Sequence, residues 1–131
     1  MENLHKGKTG IRRIWNALQY SLAGLVAAYK NETAFRQEVI LALLLIPAAM
    51  VMTVGAIGKA LMIASIFLVL IVELLNSAIE ATLDRISFEH HDLTKRAKDI
   101  GSAAVMLSLV NLAVVWLFVL FYVAEDRIPR L

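Results

Sequence analysis

Three polar side chains interrupt a long apolar stretch in the middle of the chain. Glu73, Asn76 and Glu80 stand at positions i, i+3 and i+7, which aligns them on one face of an α-helix, and Asp84 extends the row by one turn. A carboxylate at membrane depth costs at least about 2.5–3.5 kcal/mol on insertion scales, and such acids generally mark a functional site. The pattern therefore predicts that these four side chains, called the acid row below, face one cleft. The alternative is that Glu73 and Glu80 pair with Arg or Lys of neighbouring helices.

A second set of acids lies in segment 31–38, just before the first apolar block. We expect Glu32 in this segment to approach Glu80. The chain has no cysteine and no His-rich spacing, so these carboxylates would act as hard oxygen ligands. Such ligands suit Mg²⁺, which takes one or two carboxylates together with phosphate oxygens. The sequence thus raises the hypothesis of a metal–nucleotide site between Glu32 and Glu80.

A polar segment, 84–99, follows the acid row and is expected to connect two membrane spans. Its cationic side chains could hold phosphate groups, with Asp99 available to orient one of them. The alternative is an ordinary solvated loop on the cytoplasmic side, because cytoplasmic loops commonly carry an excess of positive charge. The candidate cations are His90, His91, Lys95, Arg96 and Lys98.

The composition indicates that these residues are carried by a membrane protein. Of 131 residues, 60% are hydrophobic and only 18% are charged, whereas soluble domains are about 45–50% apolar. Segment 100–124 has no charged side chain and is long enough to cross about 30 Å of hydrocarbon. We predict one all-α domain over 1–131 with spans at about 38–57, 59–83 and 100–124, where Thr53, Gly55 and Gly58 mark the first turn. A net charge of +2 gives no support for nucleic-acid binding.

The segment before the first span predicts an amphipathic helix over about 11–30. Its apolar residues recur at helical spacing and basic residues gather at its start. Such a helix is typical of the membrane interface, and the alternative is a helix packed against other protein. The apolar residues are Ile11, Ile14, Trp15, Leu18, Leu22, Leu25, Val26 and Tyr29.

The distribution of Lys and Arg predicts the orientation in the membrane. Most of these residues lie before the first span or in segment 84–99, whereas Lys59, Arg127 and Arg130 lie on the other side. Because cytoplasmic loops carry an excess of Lys and Arg, the N-terminus and the 84–99 loop are predicted to be cytoplasmic, and the C-terminus periplasmic.

Several stretches resemble the prokaryotic integral-membrane diacylglycerol kinase family. They are Val72 to Ala81, Asp84-Arg85 and Lys95 to Val105, and the run Glu32 to Glu38 matches the upstream motif of that family. The similarity covers about residues 11–122. It implies a homotrimer of three-span subunits in the bacterial inner membrane that transfers the γ-phosphate of MgATP directly to diacylglycerol, giving phosphatidic acid.

The resemblance also implies roles for individual residues. Glu73 falls at the position of the general base, Glu32 and Glu80 at those of the metal ligands, and Asn76 at a supporting position. The positions that match nucleotide contacts are Arg13, Tyr20, Glu32, Glu80, Glu89, His90, His91, Lys98 and Asp99. Those that match the lipid site are Arg13, Ala34, Phe35, Arg36, Gln37, Glu38, Glu73 and Ser102.

Two other functions remain open on the sequence. A related branch of the same superfamily phosphorylates undecaprenol with similar acidic motifs, although the Asp84-Arg85-Ile86 and Lys95 to Ser102 stretches are more similar to the diacylglycerol branch. The other is a non-enzymatic, small oligomeric membrane protein whose acids conduct protons or pair charges.

Overall fold

The computed structural model describes residues 10–86 and 91–127, and this part of the chain is helical throughout, apart from short turns. The four helices are α1 (Ile11–Asn31), α2 (Thr33–Val51), α3 (Ala56–Ile86) and α4 (Asp92–Asp126). The last three are long and apolar enough to cross a membrane. The predicted fold class, one amphipathic helix followed by three apolar spans, is confirmed.

Helix α3 lies at the centre, packed against α2 on one side and α4 on the other. Its interior face carries Met62, Ile66 and Val69, all at most 2% exposed. Small residues such as Ala49 of α2 and Ser108 of α4 are also buried, which allows the helices to approach closely. Most other large apolar side chains are exposed, as expected where lipid or further copies of the chain cover them.

A single residue in extended conformation separates α1 from α2. Glu32 has φ −108° and ψ 113°, and its backbone N–H donates to the carbonyl of Ala28 at 2.8 Å. Helix α1 buries none of its residues, and Ile14 and Trp15 of its apolar stripe are 71% and 59% exposed. The helices of the same chain thus leave the stripe uncovered, as expected of a helix lying in the membrane interface.

The turn between α2 and α3 is tied to both of its neighbours. The Lys59 ammonium donates to the carbonyl of Met50 at 2.7 Å, which satisfies a carbonyl at the end of α2 that lacks an intrahelical partner. The Arg127 guanidinium donates to the Thr53 hydroxyl at 3.0 Å. These bonds fix the end of the bundle remote from the acid row.

The helices differ from the predicted spans at their ends. Helix α2 begins at Thr33 and ends at Val51, where Met52 turns to extended backbone, and it contains Pro47. Gly58 does not belong to the turn but lies within α3, where a Cβ would collide with the side chain of Val54. The expectation that 84–99 is wholly a connection is wrong, because α3 continues to Ile86 and α4 begins at Asp92. Runs without charged residues predict which part of a helix lies within the hydrocarbon, but the helices continue beyond that part on either side.

Candidate functional site

The acid row occupies one face of α3 and runs from the interior of the bundle to its surface. Glu73 is buried, with 4% of its surface exposed. Asn76 and Glu80 are half-buried, and Asp84 is exposed. The Asn76 amide nitrogen donates to a carboxylate oxygen of Glu80 at 3.4 Å. Because α3 is continuous over these positions, the four side chains share one helix face, and their exposure increases from Glu73 to Asp84.

Neither Glu73 nor Glu80 forms an ion pair within the part of the chain that the structure describes, although the Lys98 ammonium interacts electrostatically with Glu80. The ion pairs found there join Lys98 to Asp84 at 2.7 Å and Lys95 to Asp99 at 2.8 Å. Glu73 instead lies close enough to other carboxylates to be repelled by their charges, mainly that of Glu80 and then that of Glu32. The alternative that Glu73 and Glu80 are locked onto Arg or Lys of the same chain is therefore not what the described residues show.

Helix α2 places a further acid against the row. Glu38 is 9% exposed, it interacts electrostatically with Glu73, and its Oε2 atom has no hydrogen-bond partner among the described residues. Phe35, one turn earlier, is 3% exposed and packs in the interior. Ala34 and Gln37 are exposed on the other side of the helix. Two buried carboxylates thus face each other where α2 and α3 meet.

Helix α4 closes the opposite side of the row. Lys98 reaches Asp84, whereas Asp99 points elsewhere and pairs with Lys95. Gly101, buried one turn further along, packs directly against the Asn76 side chain, and Ser102 beside it is exposed. A cation therefore stands at the open end of the acid row.

A cleft of about 710 Å³ separates α1 from α3 on the remaining side of the row. Apart from Glu32, every residue of its wall is neutral, and most are small or apolar. Ser77, one turn beyond Glu73, brings this wall to the edge of the acid row. The lining residues are Ser21, Gly24, Leu25, Ala27, Ala28, Asn31, Glu32, Leu74, Ser77, Ala78 and Ala81.

Glu32 is well placed to bind a ligand. It stands at the N-cap of α2, where the helix dipole favours negative charge, and its carboxylate makes no capping hydrogen bond. No group of three or more His, Cys, Asp or Glu that could hold a metal ion occurs in residues 10–86 and 91–127. Carboxylates such as Glu32 and Glu80 are oxygen donors of the kind that hard cations prefer.

The other predicted nucleotide contacts are distributed over the chain. Arg13 and Tyr20 are exposed on α1, and Arg13 lies roughly 28 Å along the helix axis from Glu32 at 1.5 Å per residue. His91 caps α4, where its Nδ1 atom accepts the Leu93 N–H at 3.2 Å. Glu89 and His90 lie outside the described residues. One chain thus brings together the acids and Lys98, but it does not bring Arg13 to them.

Sequence reasoning missed the role of Arg36 at the corner between α1 and α2. Its guanidinium donates to the carbonyls of Tyr29 and Lys30 at 3.0 and 2.9 Å, and to the Thr33 hydroxyl at 2.9 Å. These bonds satisfy carbonyls at the end of α1. The signal in the sequence is a cation shortly after a predicted helix end, and the family resemblance places the same residue in the lipid site.

The chain is similar to known proteins over most of its length. The family model described as prokaryotic diacylglycerol kinase matches residues 19–120. A diacylglycerol kinase of Pseudomonas aeruginosa is 56% identical over 115 residues, which is 88% of this chain and 94% of the relative. One of Escherichia coli strain K12 is 50% identical over 86% of this chain and 93% of its own length. One of Helicobacter pylori strain J99 is 42% identical over 82% and 84%, respectively.

Proposed function

The chain belongs to the prokaryotic diacylglycerol kinase family and is a multi-pass bacterial membrane enzyme that phosphorylates diacylglycerol, and we propose that it does so by direct transfer of the γ-phosphate of MgATP at the acid row of α3. The observation that carries this proposal is the Glu73 carboxylate, which is buried and has no cationic partner among the described residues. A structural acid at this depth would be paired. An acid left unpaired is suited to accept a proton.

Glu73 would act as general base towards the acceptor hydroxyl of the lipid. In direct transfer, the hydroxyl oxygen forms a bond to the γ-phosphorus, the bond to the β,γ-bridging oxygen breaks, and Glu73 takes the hydroxyl proton. The products are phosphatidic acid and ADP. No phosphorylated protein side chain is required in this scheme.

Glu32 and Glu80 would hold Mg²⁺ together with phosphate oxygens of ATP. Bound there, the ion would neutralise negative charge on the phosphates. Asn76 holds the Glu80 carboxylate through its amide, and Lys98 at the outer end of the row can supply a cation to the phosphates. The remaining nucleotide contacts that we propose from the family resemblance are Arg13, Tyr20, Glu89, His90, His91 and Asp99.

The lipid would approach Glu73 from the membrane. The structure makes Gln37 and Ser102 exposed, and Glu38 buried beside Glu73, so the first two could contact the lipid from outside and Glu38 from within the bundle. Phe35 and Arg36 are engaged within the chain, so we expect them to shape the lipid site by supporting the corner between α1 and α2.

The chain is further proposed to act as a homotrimer in the inner membrane. Asn111 supports association, because it lies in the apolar part of α4 and is exposed in the single chain. An amide inside a membrane gains from a hydrogen bond to another helix. The cytoplasmic orientation of the 84–99 segment, proposed from the Lys and Arg distribution, would give the acid row access to ATP.

Radiolabelled ATP and purified protein in mixed micelles test the proposal. Micelles that contain diacylglycerol should yield labelled phosphatidic acid only when Mg²⁺ is present, whereas matched micelles with undecaprenol should yield little label. Label in undecaprenol alone would support the related branch, and label in neither lipid would support a non-enzymatic role. Label retained on the protein would contradict direct transfer.

A further inference from the structure

Gly101 is buried where α4 crosses the acid row, and its lack of a side chain makes room for one neighbour. A Cβ atom at this position would collide with the Asn76 Oδ1 atom and lie 3.3 Å from the Asn76 Cγ atom. The φ angle of Gly101 is not positive, so the backbone does not require glycine here. Glycine is needed at this position because any side chain would occupy the space of the Asn76 carboxamide.

The same space sets the orientation of the Asn76 amide. Its nitrogen donates to Glu80, whereas the opposite orientation would place the amide oxygen, an acceptor, against an acidic carboxylate. With the nitrogen towards Glu80, the oxygen has to point at α4, where it is buried and has no hydrogen-bond partner among the described residues. Gly101 is the residue that leaves room for this oxygen.

Other glycines in the described part of the chain do not share this arrangement. A Cβ at Gly24 or Gly55 would meet no atom within 4 Å, and one at Gly58 would meet the apolar side chain of Val54. The contact of Gly101 is with a polar group of the acid row. If Gly101 served only close packing of the helices, its neighbour would not need to be Asn76, whose amide donates to Glu80.

We propose that Gly101 is a positioning residue for phosphoryl transfer, which acts through Asn76 to orient the Glu80 carboxylate for the Mg²⁺ of the nucleotide. This inference rests on the proposed function and assigns a part to a residue outside its catalytic set. An added methyl group at position 101 would rotate the Asn76 amide or push it away from Glu80. The carboxylate would then lose its donor, and binding of MgATP would suffer while binding of the lipid would not.

The test compares Gly101→Ala, Asn76→Ala and the double variant in the full chain. The probe is Mg²⁺ with a non-hydrolysable ATP analogue, whose dissociation constant is measured by calorimetry in micelles, and KM for diacylglycerol is measured separately. Both single variants should bind the nucleotide about tenfold more weakly, as expected for a lost hydrogen bond to a charged group. In the Asn76→Ala variant there is no carboxamide for the added methyl group to collide with. Adding Gly101→Ala to that variant should therefore change the nucleotide dissociation constant less than twofold.

Gly55→Ala is the matched control, since it adds the same methyl group in open space at the other end of α2 and α3, and it should leave both constants unchanged. If the Gly101→Ala single variant does not fold, the nucleotide affinity of the double variant compared with that of Asn76→Ala still tests the inference. A further loss of nucleotide binding in the double variant, or a rise in the lipid KM with unchanged nucleotide affinity, would overturn the inference. Failure of the wild type to phosphorylate diacylglycerol would instead overturn the proposed function.

Discussion

Glu73 and Glu80 lie two turns apart on one face of α3, and their surroundings differ. Glu73 is deep in the bundle, where it interacts with Glu38, and Glu80 is nearer the surface, where it accepts a hydrogen bond from Asn76. The deep position suits a group that meets a lipid hydroxyl, and the outer one suits a ligand for a charged nucleotide. The spacing in the sequence predicted the shared face. It could not predict the contact of Asn76 with α4, because that depends on how the two helices are rotated against each other.

Glu80→Ala should weaken nucleotide binding in a magnesium-dependent manner. Loss of even an outer partner of a bound metal costs about 10–100-fold in affinity, so removal of a ligand should weaken binding by at least about tenfold. The measurement is the affinity of a non-hydrolysable ATP analogue across a titration of Mg²⁺. Glu125→Ala, an exposed acid near the end of α4, serves as control. Unchanged affinity for Glu80→Ala at every magnesium concentration would remove it from the metal site.

At the scale of the helices, the corner between α1 and α2 decides where Glu32 stands. The type and order of all four helices follow from apolar periodicity and from the uncharged runs, and these predictions are confirmed. The helix ends were misjudged where polar residues continue a helix, as between Asp92 and Asp99. A polar residue does not stop a helix that has left the hydrocarbon, and the sequence alone does not say where the membrane surface lies.

Arg36→Ala should loosen this corner. The arginine satisfies two carbonyls at the end of α1, and hydrogen bonds from a charged group contribute about 1.5–3 kcal/mol each to stability, less where solvent competes. Amide hydrogen exchange in the last turn of α1 should therefore become at least about tenfold faster. Arg12→Ala, an exposed arginine on the same helix, should leave the exchange unchanged. Equal exchange in both variants would show that Arg36 does not hold the corner.

For the whole molecule, function depends on which end of the bundle faces the cytoplasm. The acid row and Lys98 lie at one end, and the turn held by Lys59 and Arg127 lies at the other. Because ATP is cytoplasmic, the end with the acid row has to face that side for the proposed reaction. Helix packing alone carries no information on this point, so the orientation derives from the Lys and Arg distribution.

Single cysteines test the orientation cleanly because the chain has none of its own. Glu125→Cys should react with a membrane-impermeant maleimide added to spheroplasts, and Lys95→Cys should react only after the membrane is opened. Both positions are exposed in the single chain, so each should react once it is accessible. Labelling of Lys95→Cys alone from outside would reverse the orientation and separate the acid row from ATP.

The most direct test of the account is phosphate transfer by Glu73→Gln, a variant that keeps the size and polarity of the side chain and removes the base. Transfer of label from ATP to diacylglycerol in magnesium-containing micelles should fall by about 100-fold or more, the range expected when a general base is lost. Affinity for a non-hydrolysable ATP analogue should remain near that of the wild type. A kcat for Glu73→Gln close to the wild-type value would contradict the claim that the buried acid row performs the transfer.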